Sequence, residues 1–86
     1  MLYTNMDHAG LKQRLAKIEE RIANGLRQIA EQREVIGELE RNRRPADHAK
    51  YLLAGLQLLQ AAHRDVRSHL LKELAEKSDL AASEAT

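Results

Sequence analysis

Asp65, His69 and Glu73 stand four residues apart, so on a helix two carboxylates and an imidazole share one stripe, a donor set suited to a divalent cation. Arg64, Arg67 and Lys72 lie among them and would repel a cation, and the sequence offers no partners to orient the ligands. These three are therefore read as solvent-facing polar residues, with no metal or other cofactor expected. A second candidate is the basic cluster of Arg41, Arg43, Arg44 and Lys50, which could meet phosphates or an acidic protein. Its only aromatic neighbour is Tyr51, a poor basis for stacking on nucleobases, and cations also suit the C-terminal end of a helix. The chain has no glycine-rich phosphate loop, no His-Glu-x-x-His pair and no nucleophile elbow around Ser68, Ser78 or Ser83, so no enzymatic activity is expected.

The elements that must carry these residues are helices. The 86 residues hold 13 Ala and 14 Leu, with no Trp or Phe and only two Tyr, and Glu, Gln, Lys and Arg supply 28 more. From Leu11 the apolar residues recur in steps of three and four, and the seam runs Leu11, Leu15, Ile18, Ile22, Gly25, Ile29, Gln32, Ile36, Leu39. Asp7 is a natural N-cap, with Thr4 as the alternative. Pro45 ends the pattern and is suited to the first turn of a second helix, where Asp47 complements the helix dipole. A second seam then reads Ala49, Leu52, Leu56, Leu59, His63, Val66, Leu70, with Leu53 and Leu74 widening it.

Long helices joined by so short a turn must fold back on one another. The expected architecture is all-α: an antiparallel two-helix coiled-coil hairpin over 7–77, with helix 1 at 7–42, a turn at 42–45 and helix 2 at 45–77. A flexible N-terminus at 1–6 and a disordered tail at 78–86 flank it. Reflection about the turn pairs Ile36 with Leu52, Ile29 with Leu59, Ile22 with Val66 and Ile18 with Leu70. It also sets Gly25 beside His63, and Gln32 beside Leu56 and Gly55. His63 and Gln32 occupy seam positions that an aliphatic residue would stabilise more, and the expected role is to fix register or oligomer state. One two-helix seam leaves Leu26, Val35, Leu53, Leu58, Leu71 and Leu74 beside or beyond it, so dimerisation into a four-helix bundle is expected, with docking onto another helical protein as the alternative.

The segment Gln32-Arg33-Glu34-Val35-Ile36-Gly37-Glu38-Leu39-Glu40, followed by Ala49, Leu52-Leu53, His63 and Arg67, resembles a group of small uncharacterised bacterial helical proteins. That group carries a Q-R-x-x-I-x-x-L-E segment, a short turn, then A-x-x-L-L and a later L-x-x-H. The resemblance spans roughly residues 21–74 and implies a helical hairpin of bacterial source, with no activity attached. The chain departs from the group at Arg43-Arg44-Pro45, where the group has a glycine-containing turn.

Lys and Arg total 14 against 13 Asp and Glu, a formal net charge of +1, so the chain as a whole is no polycation for coating nucleic acid or lipid. Without cysteine it forms no disulfide. Its longest uncharged stretch, Tyr51 to Ala62, is far shorter than the roughly 20 apolar residues that span a bilayer. No secretory signal is legible at Met1–Asp7, so a cytoplasmic location without a membrane partner is expected. The functional expectation is a self-associating interaction module, a protein-binding or regulatory adaptor. The alternative is a small nucleic-acid-associated dimer that doubles the positive charge of the hairpin tip.

Overall fold

The computed structural model describes residues 7–85, with side chains through Leu80. Residues 1–6, including the alternative cap Thr4, lie outside them. Among the described residues two helices make up the fold: α1, His8–Arg41, and α2, Asp47–Ala85. Cross-helix contacts join late α1 to early α2 and early α1 to later α2: Glu40–Lys50 and Gln32–Ala49 lie toward the turn, Ile22–Gln60 and Glu19–Arg67 away from it. The helices therefore run antiparallel, as a hairpin 67 Å long and 14 Å thick. One helix with its side chains is about 10–12 Å across, so the hairpin is a single layer with two broad faces.

Asp7 begins α1 as the sequence suggests. Its Oδ1 accepts from the Gly10 amide at 2.7 Å, satisfying one of the four amides that an α-helix leaves unpaired at its start. The other end closes differently from a plain proline stop. The Arg44 amide donates to Leu39 O at 2.8 Å and the Arg43 amide to Glu40 O at 3.1 Å, which together form a Schellman turn around Asn42. That turn needs a left-handed residue, and Arg43 supplies it at φ 56° where glycine is the usual choice.

Pro45 sits two residues ahead of α2 rather than in its first turn. The first intrahelical bond runs from the Lys50 amide to Ala46 O at 2.9 Å, so Ala46 holds the cap position without a side-chain acceptor. Packing fixes this start: Ala46 and Ala49 are buried against Ile36, with Leu39 and Leu53 around them. At the far end Leu11, Ile18 and Leu70 form a second cluster, flanked by Leu15, Ile22 and Leu74. α2 continues to Ala85, past Lys77 where the sequence reading ends it. After Gly55 it meets no glycine or proline, and Ala, Leu and Glu in the last turns favour helix.

Candidate interaction face

The α1 seam follows the sequence reading. Leu11, Ile18, Ile29 and Ile36 are buried, and Leu15, Ile22, Gly25, Gln32 and Leu39 are half-buried between them. The α2 seam requires a correction. Ala49 and Leu70 are buried and Leu56 and His63 half-buried as expected, but Leu52, Leu59 and Val66 are 47%, 52% and 42% exposed. Leu53 and Gln60 take the inward positions beside the first two. From Ala49, Leu56 and His63 the next position facing α1 lies three or four residues on; hydrophobicity leaves the first choice open and favours three at the other two. The folded chain takes four.

Bonds across the hairpin explain that choice. Gln60 is 5% exposed, and its Nε2 donates to the backbone carbonyl of Ile22 at 2.9 Å. Its amide lies over Gly25, where a Cβ would fall only 2.1 Å from Oε1, so the absent side chain makes room for Gln60 and not for His63. From the other helix Gln32 Nε2 donates to Ala49 O at 2.9 Å, and Gln32 borders the depression containing Leu52, Gly55 and Leu56. Each helix thus sends one glutamine to a backbone carbonyl of the other. Arg67, at the third four-step position, pairs with Glu19 at 3.2 Å. That pair is exposed and contributes little energy, but it too requires Arg67 to face α1. One acceptor stays unmatched: Gln60 Oε1 is buried with no hydrogen-bond partner.

The rotation of α2 creates a feature that the sequence reading missed. Leu52, Gly55, Leu59, Ala62 and Val66 succeed one another by threes and fours and are all exposed, a second apolar stripe beside the intramolecular seam. Tyr51 and Leu58, 70% and 74% exposed, widen it on the side away from α1. Gly55 is open, with nothing within 4 Å of where a Cβ would stand. The available signal was the doubling of apolar residues at Leu52-Leu53 and Leu58-Leu59, which a single seam does not need.

The other candidates come together less well. Lys50 pairs with Glu40 at 3.0 Å, Arg41 lies back along its own helix over Gly37, and Arg44 borders a depression with Val35, Glu38, Leu39 and Asn42. The tip cations thus have separate neighbours instead of forming one continuous patch. Among the described residues no three or more His, Asp or Glu groups are gathered for a metal ion. His69 Nδ1 lies 3.3 Å from the Asp65 carbonyl of its own helix. No helix is long and apolar enough to cross a membrane among the described residues. Comparison of the chain with protein-family models, curated proteins and solved structures finds no match.

Proposed function

We propose that the protein is a non-enzymatic helical interaction module that self-associates as a homodimer, forming a four-helix bundle, and works as a protein-binding or regulatory adaptor in the cytoplasm. The observation that carries this reading is the exposed stripe from Leu52 to Val66 on a hairpin one layer thick. An apolar stripe of that length on a helix is normally covered by another element, and among the described residues there is no third helix to cover it. A coiled-coil hairpin that closes with a second hairpin buries the stripe and keeps the charged edges in water. The nucleic-acid reading is less well supported, since the tip cations are partly neutralised and lack an aromatic platform. Light scattering over a concentration series tests the proposal. A mass at least twice 9.8 kDa at micromolar concentration is the expected result, and a folded monomer throughout the series would overturn it.

A further inference from the structure

The hairpin has two broad faces, and they differ in what a second copy would meet. On one, Leu26 and Ile29 lie in a depression edged by Arg33 and Arg64, so two such faces brought together would oppose cations. On the other, the stripe from Tyr51 to Val66 is interrupted by no charged residue through Ala62, and Gln32 borders it from α1. Val66 continues this side to the open end, where it lies beside Ile18, Leu70 and the basic Arg14, Lys17 and Arg21.

We infer that this second face pairs with its own copy, antiparallel, about a two-fold axis passing close to Leu59. The inference rests on the self-association proposed above and adds its surface, direction and register. Self-complementarity is the first ground. Leu52 and Val66 are equally distant from Leu59 in sequence, so a two-fold axis there sets each against the other in the partner and Leu59 against itself. The same operation brings Gly55 within about one residue of the level of Ala62, the two smallest residues of the stripe, which lets the helix backbones approach. Glycine in a helix interior costs about 1 kcal/mol relative to alanine, and within one chain the space at Gly55 goes unused.

Charge sets the direction. Beyond Val66 the same stripe turns to His69, Glu73 and Glu76, with Lys77 beside the two carboxylates, while Arg44 stands beyond its other end. Arg44 and Glu73 lie on the order of 20 Å from Leu59 in opposite directions, so antiparallel pairing places Arg44 of one copy by Glu73 of the other. It also brings the tip side, with Glu38, toward the basic open end. Parallel pairing would stack each charge on its own copy. Area is the third ground. The stripe leaves roughly 500 Å² of apolar surface bare, near the upper limit for a monomer, and two copies bury on the order of 1,000 Å², where specific interfaces begin.

Because the chain has no cysteine, single-cysteine variants test the pairing directly. Leu59→Cys should oxidise to a covalent dimer from the associated state, since the axis brings the two positions within disulfide reach. Leu26→Cys, on the opposite face, should not. Leu59→Glu should weaken association by about 100-fold while circular dichroism keeps its helical content. Arg44→Glu and Glu73→Arg should each weaken it by about tenfold, with the double variant recovering. A native dimer that cross-links through Cys at 26 and not at 59 would overturn the face and leave self-association standing. A dimer whose charge variants are each neutral would overturn the antiparallel register. A monomer at every concentration would overturn both proposals and leave the stripe to a different helical partner.

Discussion

Alanine at Gly25 should reverse the sign of its effect according to what stands at position 60. Built on the present backbone, the added Cβ falls 2.1 Å from Gln60 Oε1 and 2.9 Å from its Cδ, far inside contact distance. Gln60 is buried, so its amide can withdraw only by breaking the bond from Nε2 to Ile22 O. Overpacking of this kind costs about 1–3 kcal/mol. Against it stands the gain of about 1 kcal/mol from alanine over glycine inside a helix. Gly25→Ala alone should therefore range from neutral to a loss of about 2 kcal/mol. In a Gln60→Ala background the obstacle is gone and only the helix gain remains, so the same change should stabilise by about 1 kcal/mol. Urea unfolding of the four proteins of this cycle, at one fixed chain concentration, yields the coupling energy, expected at about 1–3 kcal/mol. Stabilisation by Gly25→Ala in both backgrounds, or loss in both, would refute the claim that Gly25 exists to admit the Gln60 amide.

Arg43→Gly should stabilise the hairpin by about 0.5–1 kcal/mol, because it relieves the left-handed conformation at φ 56° while leaving the Schellman hydrogen bonds in place, and thermal melts at matched concentration will measure it. The α2 register predicts a ranking: Ile29→Ala should cost about 2–5 kcal/mol, whereas Leu59→Ala should cost less than about 1.5 kcal/mol at concentrations where the chain is dissociated. Equal losses in urea unfolding would place Leu59 in the intramolecular seam after all.

The sequence contains enough to place α1, the turn and the start of α2 to within two residues. Asp7, the three-four rhythm from Leu11 and the break at Pro45 are local signals, and each acts through its own neighbours. The phase of α2 is a different kind of property. Leu52 and Leu53 are equally apolar, so hydrophobicity leaves the first choice open, and at Gln60 and Arg67 it points the wrong way. What turns α2 is a pair of bonds to groups 17 and 38 residues distant, Gln32 to Ala49 O and Gln60 to Ile22 O, and the exposed Arg67–Glu19 pair follows the same phase. Gly25 is visible in the sequence as a gap, but only the folded register shows that an amide fills it. Arg43 is hidden for another reason, since a left-handed arginine carries no compositional signature.

The rotation by one position changes what the monomer can satisfy by itself. With Leu52, Leu59 and Val66 turned inward, the hairpin would bury three aliphatic side chains and release Gln60 and Arg67 to water. It would then leave Ile22 O and Ala49 O without their cross-helix donors, and it would draw Ala46 and Ala49 away from Ile36 at the tip. The observed register keeps those contacts and holds one buried, unmatched amide oxygen at Gln60, a group that costs about 1–3 kcal/mol. A helix with apolar stripes on two adjacent sides cannot cover both with one neighbour. Were the chain adapted to stand alone, polar residues at 52, 59 and 66 would have kept the register and removed the exposed surface. Their retention as Leu, Leu and Val, beside an unfilled Gly55, is the physical reason to look for a second helix on that side.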